Sequence, residues 1–204
     1  MLGAIGTRGA LGASVDSRTN AFFQRAGKND LPLPNDFITA LSNELVARGY
    51  KTSVIYPRGY DGYNNRYAVA AGEITSQLVL EIRYAGHIAD YKDRFMPTLA
   101  AGFSVRRSTD NAVLNSGFVA TRDVTIAPPP FGDPNVVRAP ILTAMGPIAY
   151  VLKNTEFVTL DESQFVHGGD AALFESAAKL YDGAIRANQQ MAKLLVVQLD
   201  QVKQ

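Results

Sequence analysis

The sequence predicts a mixed α/β (α+β) fold in which a mostly antiparallel sheet packs against two main helices, at about residues 36–48 and 170–202. The patterns of three segments predict this class. In two of them, residues 36–48 and 170–202, apolar residues recur every three or four positions, which is the spacing of one helix face. In the third, residues 77–85 between them, apolar and polar residues alternate with the period of two that a half-buried strand shows.

The length and the glycine content predict the domain organisation. The 204 residues suit one domain, because domains typically have about 100–200 residues. Residues 1–30 are rich in glycine and alanine, and we expect a flexible N-terminal segment with one short strand at 10–15 and loop elsewhere up to residue 33. We expect residues 31–204 to form a single α/β domain with an insertion at 128–169.

The first helix has a start signal and a stop signal. Asn35 is expected to cap the first turn, and Asp36 suits the positive end of the helix dipole. Gly49 is expected to end the helix, because glycine adopts the left-handed conformation without a Cβ penalty. Residues 51–56 are then predicted to form a strand. The buried helix face is predicted to hold Phe37, Ile38, Leu41 and Leu45.

The middle of the chain predicts consecutive antiparallel strands. Residues 100–107 and 112–121 are two strand candidates that flank a Ser-Thr-Asp-Asn sequence, a composition typical of a hairpin turn. With the strand at 77–85 they predict an antiparallel meander. In that strand we expect one buried face with Leu78, Leu80, Ile82 and Tyr84. The other face, with Val79, Glu81 and Arg83, is expected to be partly solvated.

The last third of the chain predicts one long helix after an irregular segment. An apolar run at 139–152 fits either a short helix or a buried extended segment. Asp170 is expected to cap the final helix, which would be ~45 Å long for ~30 residues. Because a small sheet rarely covers that length, we expect residues 194–202 to contact an inserted segment, a second subunit or another partner. The apolar stripe is interrupted at Asn188 and otherwise holds Leu173, Ala177, Leu180, Ala184, Met191, Leu195 and Val202.

Composition excludes several classes of function. The chain is 47% hydrophobic and 19% charged with a net charge of +1, and its basic residues are scattered among acidic ones. No nucleic-acid partner is therefore expected, since such binding requires a basic surface. The absence of cysteine excludes disulfides, thiolate metal sites and a cysteine nucleophile. Neither a transmembrane helix nor a signal peptide is indicated.

The candidate catalytic residues are few. His87 and Asp90 could pair as acid and base, or His87 is simply a polar residue at a strand end. His167, beside two glycines, is expected in a loop. No HExxH motif, phosphate loop or GxSxG motif is present. We therefore expect no catalytic residue, no metal site and no cofactor.

A tyrosine-rich segment at 56–67 is the main candidate for binding. Glycine, proline and asparagine interrupt it, so we expect an exposed loop or a wide hairpin. Tyrosine and arginine favour recognition of proteins or sugars; alternatively, the tyrosines only cover the edge of the sheet. The candidate protein-binding residues are Tyr56, Arg58, Tyr60, Tyr63, Arg66 and Tyr67, together with Leu195 and Leu199 of the final helix.

Three short motifs carry a resemblance to a known family. Asp16-Ser17-Arg18 follows the first strand candidate, ELVARGY ends the first helix at Tyr50, and LEIRY ends at Tyr84. In this order the elements resemble the small bacterial envelope lipoproteins of the YajG type, with an α/β fold like that of the TolB N-terminal domain. The resemblance covers about residues 10–125 and the final helix.

The resemblance implies a periplasmic domain, anchored to the outer membrane through a lipidated N-terminal cysteine and serving assembly rather than catalysis. The lipid-bearing cysteine is absent here, so the anchor is expected only in a longer precursor. Our first hypothesis is therefore a non-enzymatic structural or assembly component of an envelope complex, binding other envelope proteins or itself. The alternative is a periplasmic carrier or sensor that binds a small apolar or glycan ligand between the sheet and residues 128–169.

Overall fold

The computed structural model describes residues 21–27, 32–55, 59–61, 66–68, 74–91, 94–123 and 155–200. The predicted strand at 10–15, the connector and apolar run at 128–152, and Val202 lie outside these residues. The described elements, in chain order, are α1 (Pro32–Ala47), β1 (Gly59–Asp61), β2 (Arg66–Ala68), β3 (Leu78–Tyr91), β4 (Arg94–Arg107), β5 (Val113–Asp123), β6 (Thr155–Leu160), a 3-10 helix (Glu162–Gln164), β7 (Val166–His167), α2 (Asp170–Glu175) and α3 (Ala177–Asp200).

The predicted fold class is confirmed: a five-stranded, mostly antiparallel sheet packs against two main helices, α1 and α3. The strand order is β3-β4-β5-β6, and β7 pairs with the beginning of β4. β3, β4 and β5 form the predicted antiparallel meander, whereas β6 runs parallel to β5. Residues 155–167, expected to belong to an insertion, therefore supply two strands to the main sheet.

Helix α1 begins earlier than the sequence predicts and ends where it predicts. Asn35 is not the cap but lies within the first turn, since Pro32 starts the helix. Proline suits this position because it lacks the N–H that the first turn leaves unpaired. Gly49 ends the helix with φ +81°, and its N–H donates to the carbonyl of Val46 at 2.9 Å. The N–H of Tyr50 reaches back to the carbonyl of residue 45, which completes a Schellman motif.

Two local predictions near this helix are wrong. Residues 51–55 are not a strand, and the side chains of 51–54 are exposed. Strand propensity is only realised where a neighbouring strand and a buried face are available, and no described strand pairs with these residues. The loop expected up to residue 33 is helical at 21–25, because Phe22 and Phe23 are buried in the core.

Strands β3 and β4 are longer than predicted, at 14 residues each, and they pair along their whole length. The predicted buried face of β3 is confirmed at Ile82 and Tyr84, which are both buried on the side that faces the helices. The predicted hairpin turn between β4 and β5 is also confirmed. Asn111 has φ +59° there, a conformation that asparagine tolerates.

The final helix is divided in two. Gly169, and not Asp170, is the N-cap of α2, and it makes no side-chain capping bond. Ser176 separates α2 from α3, whose 24 residues span ~36 Å. Since β4 spans ~46 Å, the sheet is long enough to cover the whole helix.

The far end of α3 is therefore buried within the chain. Leu195 is 0% exposed and Leu199 is 8% exposed, and both belong to the hydrophobic core. Asn115 of β5 donates its side-chain amide to the carbonyl of Gln198 at 3.1 Å. Gln198 also donates its side-chain amide to Glu156 of β6, which lies within the expected insertion at 128–169, so the predicted contact of this end with an inserted segment is confirmed. Neither a second subunit nor another partner is needed to cover Leu195 and Leu199.

Asn188, which interrupts the apolar stripe, lies in the centre of the core at 0% exposure. Its side-chain oxygen accepts from the Tyr84 hydroxyl at 2.9 Å, and its amide donates to the Leu33 carbonyl at 3.0 Å. The ring of Tyr84 also stacks on Phe37 at 5.1 Å. One amide thus joins α3 to β3 and to the beginning of α1.

Replacing Asn188 by alanine leaves the Tyr84 hydroxyl and the Leu33 carbonyl buried without this partner. We expect Asn188→Ala to lower the free energy of unfolding by roughly 2–4 kcal/mol, measured by urea denaturation. The control is Gln189→Ala on the exposed side of the same helix, expected to change stability by less than about 0.5 kcal/mol. Equal effects of the two substitutions would contradict the role given to Asn188.

Candidate interaction surface

The tyrosine-rich segment forms a hairpin, so the second of the two predicted alternatives is confirmed. β1 and β2 pair antiparallel as a two-stranded sheet of their own, with Tyr60 opposite Tyr67 and Asp61 opposite Arg66. Of the predicted binding residues, Tyr60, Arg66 and Tyr67 therefore lie on this ladder, whereas Tyr56, Arg58 and Tyr63 lie outside the described residues. Their role in binding remains a prediction.

The two other predicted binding residues, Leu195 and Leu199, belong to the core described above. Burial inside a single chain removes both side chains from any surface that a partner could reach. They contribute to the stability of the fold, and the predicted protein contact of the final helix has to be sought at its exposed positions.

The histidines are not arranged as an acid–base site. Positions 87 and 90 both lie inside β3, and positions three apart in a strand belong to opposite faces of the sheet. His167 lies in β7 rather than in a loop; it is exposed and contacts the carboxylate of Glu162. Within the described ranges, no three potential metal-ligating side chains of His, Cys, Asp or Glu come together. No helix in this part of the chain is long and apolar enough to cross a membrane.

The large hydrophobic side chains that remain exposed gather at one end of the domain, which we call the apolar end. Their exposed fractions range from 37% for Ile74 to 59% for Val46. Among the described side chains, no exposed large hydrophobic residue lies at the opposite end, where β4 begins. The apolar end consists of Val46, Val54, Ile74, Leu78, Val113 and Val197.

Several contacts place Val46, Leu78, Val113 and Val197 at the same end, and chain connectivity keeps Val54 and Ile74 near it, since they lie four residues from Tyr50 and from Leu78 respectively. Arg48, just after α1, pairs with Asp200 at the end of α3, and the Tyr50 hydroxyl donates to the same carboxylate at 3.0 Å. In the sheet, the first residue of β3 lies opposite Arg107, and the first residue of β5 lies opposite Arg106. The ends of α1, α3 and β4 thus adjoin the beginnings of β3 and β5.

Two arginines of the apolar end, Arg106 and Arg107, are already paired. Arg106 binds Glu81 at 2.9 Å, and Arg107 binds Asp110 at 2.7 Å. Hydrogen bonds from the Ala112 N–H and from Arg107 hold the pKa of Asp110 below its usual value. Since these cations have intramolecular partners, the surface suits an apolar protein contact better than an anionic ligand.

Sequence reasoning missed this surface although a signal was present. Val46 and Val197 are apolar residues that do not belong to the buried faces of their helices. The helical period therefore predicts that both side chains are exposed, and an exposed apolar side chain is the signal of such a surface. Leu78 was expected on the buried face, but it is the first residue of β3 and is 40% exposed.

The sheet face away from the helices is buried at its centre. Ala100 and Ala120 lie opposite each other on β4 and β5 and are both fully buried. The ring of Phe118 lies next to Gly102, where an added Cβ would be 3.5 Å from it. On the same face of β4, the hydroxyls of Thr98 and Ser104 are buried and have no hydrogen-bond partner among the described residues.

Two tyrosine hydroxyls on the helix face are strongly perturbed. Burial raises the pKa of Tyr84 far above its usual range, against the opposing effect of the hydrogen bond to Asn188. Partial burial, and then the carboxylate of Asp36 that accepts its hydrogen bond, raise the pKa of Tyr181. Both groups are hydrogen-bond donors that tie helices to their neighbours, so their protonated forms are part of the fold.

A comparison of the chain with protein-family models, with curated proteins and with solved structures finds no match in any of the three. The family resemblance stated from the sequence motifs therefore remains a prediction.

The raised tyrosine pKa values predict a loss of stability in alkali. Above pH about 10 the unfolded chain releases tyrosine protons that the folded chain retains, so the free energy of unfolding falls as pH rises. We expect Tyr84→Phe to lower this free energy at pH 8 but to reduce its decline between about pH 9 and about pH 11. Urea denaturation across this range provides the measurement, with Gln189→Ala as the control. A decline as steep as that of the wild type would contradict the prediction.

Proposed function

We propose that this chain is a non-enzymatic protein-interaction domain, a structural or assembly component of a larger bacterial envelope complex. The observation that carries the proposal is the gathering of the exposed large hydrophobic side chains at the apolar end. Single exposed hydrophobic residues are normal on a protein surface, but their concentration at one end marks a contact site. The β1–β2 hairpin, with its tyrosines and arginines, is the second candidate contact.

The size of the apolar end indicates the kind of contact. Each of its six side chains is only about half exposed, so burying one contributes roughly 1 kcal/mol. The total, roughly 6 kcal/mol, is comparable with the free energy that association costs. The apolar end alone would therefore bind weakly, as suits a component held by several contacts within an assembly.

The cellular location is proposed from the sequence resemblance alone. The motifs at Asp16-Ser17-Arg18, at the end of α1 and in β3 suggest a periplasmic domain of the YajG type, attached to the outer membrane by a lipid anchor in its precursor. Such a domain needs no cofactor, and its partners would be other envelope proteins or further copies of itself.

The apolar end can be tested by placing charge on it. We expect the double substitution Val113→Glu/Val197→Glu to weaken capture of a partner from an extract of bacterial envelope proteins at least about tenfold, because a carboxylate cannot be buried against an apolar surface without cost. The matched control is Ala171→Glu, which adds a carboxylate at an exposed position of the opposite end.

Thermal denaturation would establish that both variants fold. Capture that is equal for the double variant and for the wild type would contradict the proposed role of the apolar end. Capture weakened equally by Ala171→Glu would show that the added charge, rather than its place, is responsible.

The alternative, a carrier or sensor for a small apolar or glycan ligand, is favoured by one observation. The hydroxyls of Thr98 and Ser104 are buried without a partner among the described residues, on the sheet face that also carries the fully buried Ala100 and Ala120, as a ligand with few polar groups would require. Native mass spectrometry of the protein purified from bacterial envelopes should then show a retained mass that Thr98→Val reduces. A spectrum with the bare chain alone would contradict this alternative.

A further inference from the structure

The outer edge of β3 pairs with no other described strand. β3 and β6 are the two terminal strands of the five-stranded sheet, and among the described strands only β4 pairs with β3. It has 14 residues and contains no proline. Exposed edges of this kind are templates for pairing with another strand, and proteins usually shorten or interrupt them.

The hydrogen bonds at the beginning of β3 show which backbone groups point outward. The Ser108 N–H donates to the Gln77 carbonyl at 2.9 Å, so odd-numbered residues of β3 exchange their backbone bonds with β4. The N–H and C=O groups of even-numbered residues point away from the sheet. The Leu78 carbonyl confirms this direction, since the Ser76 hydroxyl donates to it at 2.7 Å.

The sequence of β3 is complementary to itself in one antiparallel register. If Ile82 lies opposite Ile82 of a second copy, Glu81 lies opposite Arg83 of that copy, and Arg83 lies opposite its Glu81. Position 82 is even, so its outward N–H and C=O can form the closely spaced bonded pair at the centre. Opposite charges directly across two strands stabilise pairing, and a two-fold axis produces the favourable pair twice.

Glu81 is well placed for this role. It already binds Arg106 at 2.9 Å, and both side chains are 19% exposed. In this register, position 83 of the second copy would lie opposite Glu81, so an opposite charge would be added beside the existing pair of Glu81 with Arg106.

We propose that the chain forms a two-fold symmetric dimer in which the β3 strands of two copies pair antiparallel about Ile82, so that one sheet continues through both. The inference goes beyond the proposed function because it rests on the edge of β3 and not on the apolar end. The dimer can be absent while the apolar end still binds a partner, and the reverse also holds.

The first test is the mass of the full chain in solution, measured by light scattering after size exclusion. We expect a dimer, and we expect Arg83→Glu to weaken its association roughly ten- to hundredfold, since two attractive pairs become repulsive. Glu81→Arg is expected to do the same. A mixture of the two variants should restore the dimer, because each chain then supplies the charge that the other lacks. The control is Ala171→Glu at an exposed position of the opposite end, expected to leave the dimer intact.

The second test needs no substitution and so does not depend on the folding of a variant such as Glu81→Arg, which also loses the Arg106 pair. Amide hydrogen exchange of the wild type should show protection of residues 80, 82 and 84 that rises with protein concentration, while residues 79, 81 and 83 remain protected at every dilution. A monomer at all concentrations would overturn the proposal. A dimer that Arg83→Glu does not weaken would also overturn the proposal. That result is expected if the two strands pair about Tyr84, because position 81 of one copy then lies opposite position 87 of the other and not opposite position 83.

Discussion

The side-chain amide of Asn188 is the contact on which the relative position of sheet and helices depends. A buried asparagine must find partners for both its oxygen and its nitrogen, and here one partner is on β3 and the other is at the beginning of α1. Apolar packing alone would tolerate small shifts of α3 along the sheet, whereas two directed hydrogen bonds do not. The bonds of Tyr181 with Asp36 and of Arg48 with Asp200 then keep α1 alongside α3 over its whole length.

This alignment decides which surfaces remain for partners. Because α3 lies along strands that are longer than the helix, its apolar stripe is closed within the chain from Ala177 to Leu199. Among the described residues, the surfaces that remain available include the apolar end and the outer edge of β3. They offer different chemistry, namely hydrophobic side chains at the apolar end and backbone groups along β3 that no described strand pairs with.

Several features could be predicted from sequence because local chemistry decides them. The period of apolar residues identified α1, α3 and the meander, and Gly49 and the Ser-Thr-Asp-Asn turn identified where elements stop. Other predictions failed because a distant residue had to be known. Residues 51–55 have strand composition, but no described strand pairs with them. Asn35 has the composition of an N-cap, but the helix already starts at Pro32, so Asn35 lies within its first turn. The candidate site was predicted least well, since Leu195 and Leu199 have the same local pattern whether a partner or the sheet covers them.

The sequence by itself determined the fold class, the helical and strand faces, and the absence of cysteine chemistry, because these follow from composition and from periods of two and 3.6 residues. Only the tertiary structure decided that Asn188 joins three elements rather than interrupting a stripe. It also decided that the long helix is covered by its own sheet, and that among the described residues the apolar end and the outer edge of β3 have no partner strand or helix. These properties depend on the lengths and pairing of segments far apart in the chain, which no local pattern contains.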